Sequence, residues 1–297
     1  MYGDITPFSA GITLGLGTAV PARPRLAASV FRPAPGSRMP LEIDAAHLSA
    51  VVAAQPDPLV FATVSGAHLY GFPSRDSDID LRGAHLLPLA DLVGLREGEQ
   101  TRARIWEADG IENDLVTHDL GKFVRLLLRR NGYVLEQLLS PLVVHTTAVH
   151  AELVDLAPAV TTRHHAHHYA GFARTQTRLY TRTGELKPLL YTFRVLLTGI
   201  HLMRTGAVVA DLGELAGTWP AEAPPYLGTL VAAKREAEHA GAAGLVDADT
   251  AHADIERLHA VLESARDASA LPDRPSAYDA LHDLLVRARL HGLDSGR

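Results

Sequence analysis

The chain has 297 residues, 47% of them hydrophobic, which is enough for one large domain or two smaller ones; two are expected. A net charge of −6 and a pI near 6.2 exclude a global positive field for nucleic acid or an anionic membrane, so any such contact must be local. The absence of cysteine excludes disulfides, thiolate metal sites and cysteine nucleophiles, and no apolar run nears the roughly 18 residues needed to span a bilayer, so a cytoplasmic protein is expected.

Residues 1–40 are rich in Gly, Pro, Ala and Arg without a sustained period, and read as a flexible leader; Met39, where periodic sequence begins, is a possible alternative start. Beyond it the spacing predicts a helix over 45–54, a strand over Leu59–Val64, a turn through Gly71–Ser74 and a second strand over Ile79–Ala84. A third strand is predicted over Ile111–Thr117, followed by a single helix over 120–139 capped by Asp119. After Pro141 the pattern is helical, over about 166–181, 187–204, 226–238, 250–267 and 277–291. The expected fold is therefore α+β: a mixed-sheet core with flanking helices at 41–150, then a mostly helical domain at 151–297.

The chemistry concentrates in the stretch from Val64 to Gly83. Residues two apart on a strand share a face, so Asp78 and Asp80 aim both carboxylates at one point. Two like charges so close are tolerable only in water or around a cation, and hard ions such as Mg²⁺ or Mn²⁺ favour such oxygen ligands. Asp114, on a neighbouring strand, supplies a third acid for a two-metal site. Upstream, Ser65, Gly66, Ala67 and Gly71 form a glycine-bracketed turn whose backbone N–H groups suit phosphate oxygens.

Ser65-Gly66-Ala67-His68-Leu69-Tyr70-Gly71 together with Ser77-Asp78-Ile79-Asp80-Leu81-Arg82-Gly83 resembles the core motif of the DNA polymerase β superfamily, and more narrowly the RNA-ligase-associated nucleotidyltransferases. The likeness extends over roughly residues 59–215. It implies a nucleotidyltransferase core that moves an NMP from an NTP to an acceptor hydroxyl, releasing pyrophosphate, with Asp78, Asp80 and Asp114 as catalytic and metal-binding residues. An RNA end is the favoured acceptor, a protein hydroxyl the alternative. Ala67 stands where the family pattern has Ser, a departure that leaves room for a catalytically weakened nucleotide-binding module.

In the helix from residue 187, Lys187, Tyr191, Arg194, Thr198 and His201 recur at helical spacing along one face. Either the face is solvated or it borders a cleft; the resemblance assigns Lys187, Tyr191 and Arg194 to the nucleotide. Lys122, Arg125, Arg129 and Arg130 form a second basic set, more simply a solvated face than a guide for an acceptor. The cluster His164, His165, His167 and His168 lacks a companion acid or thiol for a zinc set.

Overall fold

In the computed structural model, residues 45–74, 77–95, 98–108, 110–236 and 241–293 are described, and all belong to one compact unit, Phe31–Arg297. The expected leader and Met39 lie outside the described residues.

The chain alternates at first: α1 (Ala45–Ala53), β1 (Leu59–Val64), α2 (Gly66–Tyr70), β2 (Ile79–His85), α3 (Ala90–Val93), β3 (Thr101–Ala108), β4 (Ile111–Asp119), α4 (Leu120–Leu128), α5 (Gly132–Leu138) and β5 (Val143–His145). Helices follow: α6 (Ala148–Val160), α7 (His165–Thr183), α8 (Leu186–Thr205), α9 (Leu212–Thr218), α10 (Leu227–Glu236), α11 (Ala248–Asp267) and α12 (Tyr278–His291). The strands form one mixed sheet in the order β3-β4-β2-β1-β5, and the fold is α+β as expected. Only β2 and β4 run parallel; the other neighbours are antiparallel. No helix of the described residues is long and apolar enough to cross a membrane.

Six consecutive buried residues in β1 explain its continuous apolar run, because the strand is covered on both faces. One cluster joins Val64, Tyr70, Phe72 and Leu81 to Leu189, Leu190, Phe193 and Leu197 of α8, while a second packs Phe61 against α4, α5, α6 and α12. Each such fully buried side chain contributes about 1.5 to 3 kcal/mol, so α8 is an internal strut rather than a surface helix.

The single helix expected over 120–139 is two. Asp119 caps α4 as predicted, its carboxylate accepting from Gly121 N (2.9 Å). Arg130 then turns left-handed (φ 62°) and Asn131 starts α5, its side-chain oxygen accepting from Tyr133 N at 3.0 Å. A local cap outcompetes the continuous apolar period here.

Candidate active site

The parallel register of β2 and β4 sets Asp80 directly beside Asp114. Arg82 shares their face two residues on, and its guanidinium closes over both: Nη2 lies 2.6 Å from Asp80 Oδ1 and 2.8 Å from Asp114 Oδ2. Nη1 donates to the carbonyls of Leu81 and Asp114, both at 2.8 Å, and Nε to the Tyr133 hydroxyl at 3.0 Å. One oxygen of each carboxylate is thus held while the side chains stay 28% and 26% exposed, open to a ligand. Asp78 precedes β2 and is exposed. Burial raises the Asp80 pKa; Arg82 opposes that, Asp114 and Asp78 add to it, and Lys187 opposes it again. At Asp80 burial and the neighbouring acids therefore outweigh Arg82 and Lys187.

The turn meets these acids through backbone. Ser65 N donates to Asp80 O (2.8 Å), and the buried Ser65 Oγ has no hydrogen-bond partner among the described residues. Gly66 has φ 62°, and a Cβ there would lie 1.9 Å from Asp80 Oδ2. Glycine is thus required twice, for the left-handed backbone and for the approach of the carboxylate. Gly66→Ala is expected to push the Asp80 carboxylate from its place and lower NTP affinity by about tenfold or more, as measured by calorimetry; unchanged affinity would separate this turn from the nucleotide. Ala67 is buried. Gly71 (φ 84°) ends α2, where a Cβ would come within 2.3 Å of Asp211 Oδ2, so its glycine serves close packing against the start of α9.

The polar stripe of α8 divides. Lys187 is half-buried and near enough to act on Asp80. Tyr191 packs edge-on against Tyr70 and Phe72. Arg194 does not open onto a cleft: its side chain is 3% exposed, pairs with the equally buried Glu136 at 2.8 Å, and stacks 3.7 Å from the Tyr70 ring centroid. Thr198 donates to Val209 O and His201 accepts from Trp219 Nε1. Beyond Lys187 the polar side chains of the stripe are thus taken up by partners inside the fold.

Several participants were missed in the sequence. Arg82 had a usable signal, the same two-residue period as Asp78 and Asp80. Tyr133 had none. Lys234 is fully buried on α10, its Nζ 3.3 Å from Ser74 Oγ, and Ser74 and Ser77 join hydroxyls at 2.8 Å in the connection leading to Asp78. In the second basic set, Lys122 bonds Thr101 and Arg125 bonds Gln100, leaving Arg129 and Arg130 exposed.

Among the described residues no three His, Asp or Glu side chains form a ready-made metal group, the histidine cluster included. His164 faces Asp273 at 3.4 Å and stacks on His167, whereas His165 is buried beside Thr162 with its pKa lowered to about 4, chiefly by burial. A histidine kept neutral in the fold must stay so while the unfolded chain, at about 6.5, takes a proton. Stability is therefore expected to fall as pH drops from about 6.5 toward 4, by on the order of 3 kcal/mol from this group. Urea titrations of wild type and His165→Phe across that window test this; parallel pH dependences would refute it.

Residues 42–287 match the family described as RlaP, RNA repair pathway DNA polymerase beta family. The chain is 30% identical over 157 residues to the uncharacterized protein MJ0002 of Methanocaldococcus jannaschii, covering 52% of this chain and 64% of that protein, just under two thirds of its length. It is 27% identical over 220 residues to the uncharacterized protein YcgL of Bacillus subtilis, covering 71% and 83%. With most of its length inside the family match and the paired acids standing at the rim of a glycine turn, the chain belongs to the RNA repair pathway DNA polymerase β family, a branch of the polymerase β superfamily of nucleotidyltransferases.

Proposed function

We propose that the chain transfers a nucleoside monophosphate from an NTP to an acceptor hydroxyl, with an RNA end as acceptor and Mg²⁺ or Mn²⁺ as cofactor. The observation that carries this reading is the pairing of Asp80 with Asp114 against the Ser65–Gly66 turn. The donor set suits a hard divalent ion, since it offers only carboxylate oxygen and like-charged Asp114 and Asp78 act on Asp80. Mg²⁺ commonly takes one or two carboxylates and completes its shell with substrate phosphates and water. Asp78 and Asp80 would hold both ions and Asp114 the one nearer the acceptor; bound there, the ions polarise the α-phosphate and make the acceptor hydroxyl more acidic.

The protein's own part is orientation and charge. Arg82 fixes one oxygen of Asp80 and of Asp114, leaving the second of each for the site. The Ser65 hydroxyl and the turn amides receive phosphate oxygens, and Lys187 offsets the triphosphate charge. The acceptor hydroxyl gives its proton to Asp114 as its oxygen forms the new bond to the α-phosphorus. The bond from that phosphorus to the β-phosphate bridge breaks, and pyrophosphate leaves with the electron pair. Incubating the full chain with each α-labelled NTP, Mg²⁺ or Mn²⁺ and total RNA tests this, with label on RNA and released pyrophosphate expected. Label on protein instead would identify a protein-modifying enzyme, and NTP binding without pyrophosphate release a weakened regulatory module.

A further inference from the structure

Beyond the acids, the molecule gathers positive charge at one corner despite its net charge of −6. Tyr133, the hydroxyl partner of Arg82, follows Gly132, and a Cβ on Gly132 would touch the His168 ring at 2.8 Å, so the start of α7 lies directly against the α4–α5 junction. Arg130, at that junction, is exposed and held in its unusual left-handed conformation. Next along α7 come His164 and His167, stacked with ring centroids 5.7 Å apart and planes within 12°. Between α7 and α11 then opens a cleft of about 370 Å³ lined by His167, Arg174, His259 and Arg266, with Glu256 and Glu263 on its α11 side.

The cations here are unevenly neutralised. Arg163 pairs with Asp273 and Arg266 with Asp267, but Arg130 and Arg174 take part in no ion pair among the described residues. The pKa of His167 is lowered first by burial and then by neighbours that include Arg266, Arg130 and Arg174, whereas that of His259 is lowered by burial and Arg174 with Glu256 and Glu263 opposing. The carboxylates thus offset the arginines at His259, while arginines alone among the charged side chains act on His167. The exposed His167 ring beside arginines suits a single strand, whose bases stack on rings while its phosphates take the charge.

We propose that this corner is the track of a single-stranded RNA acceptor, which runs from its terminal hydroxyl at Asp114 past the α4–α5 junction onto His167, Arg130, Arg174 and Arg266. The inference rests on the nucleotidyl-transfer reading for what happens at the strand's end. It does not need that reading for binding. The basic set singled out in the sequence therefore contributes through Arg130, displaced from the other three by the break between the helices.

The test is fluorescence anisotropy of a labelled single-stranded oligoribonucleotide of about 12 nucleotides with the full chain, without NTP, across a salt series. Arg130→Gln combined with Arg174→Gln is expected to weaken binding about tenfold or more and to reduce the salt slope by about 1.4, two phosphate contacts' worth for a single strand. Calorimetric binding of NTP with Mg²⁺ stays unchanged and circular dichroism reports an intact fold. No RNA binding by the wild type, or a wild-type slope in the double variant, would overturn the proposal. A wild type that binds RNA through these arginines yet labels no acceptor would uphold the track and overturn the transfer reading, so the two fail separately.

Discussion

Asp80→Asn and Asp114→Asn are each expected to abolish nucleotide transfer, by roughly a thousandfold or more, while the protein stays folded. A cation bridging carboxylates lowers a phosphoryl-transfer barrier by several kcal/mol, and about 4 kcal/mol corresponds to that factor. Little folding energy is at stake, because the two acids are about a quarter exposed and their mutual repulsion is relieved in either variant. The opposite signs on activity and stability make the expectation specific: turnover collapses while the urea midpoint holds or rises. The checks are steady-state transfer with labelled NTP and chemical denaturation of each variant. Near-normal turnover in either would remove it from the metal site. Asp78→Asn is expected to match them in activity, since Asp78 already acts on Asp80 electrostatically.

Arg194→Ala is expected to behave in the contrary way, as a folding defect. Its guanidinium and the Glu136 carboxylate are both nearly inaccessible, so removing one charge strands the other in the interior. Breaking such a pair costs about 3 to 5 kcal/mol. In a chain of this size that lowers the thermal midpoint by roughly 10 °C. Burial already raises the Glu136 pKa, with Arg194 opposing it, and without Arg194 the acid takes up a proton more readily; the loss is therefore smaller at low pH. Replacing both partners, as in Arg194→Met with Glu136→Leu, is expected to recover much of the stability. Denaturant midpoints of the single and double variants decide this, and an Arg194→Ala protein with wild-type stability and weakened NTP binding would restore Arg194 to the phosphates.

The difference between these two outcomes marks what the sequence carries. The strand that carries Asp80 was readable because a period of two needs only local geometry, although Asp78 falls just before it, and α8 because its apolar run is long. Helical spacing also put Lys187 and Arg194 on one face correctly. It could not say whether that face met a cleft or a core, since the answer depends on Glu136, 58 residues away. The β3 strand escaped because its outer residues are exposed on both faces, so it lacks apolar alternation; Asp109-Gly110 was the remaining hairpin signal. Pro158 inside α6 similarly masks a helix whose tertiary packing overrides it.

The seven-residue helix α5 reaches both halves of the site, since Tyr133 holds Arg82 and, one turn later, Glu136 holds Arg194 beneath Tyr70. The paired acids and the residues behind the Ser65–Gly66 turn are therefore both braced by one short helix. Local opening of α5 is therefore expected to release both together, so that hydrogen exchange finds the amides of the two halves opening at a common rate; independent rates would separate them.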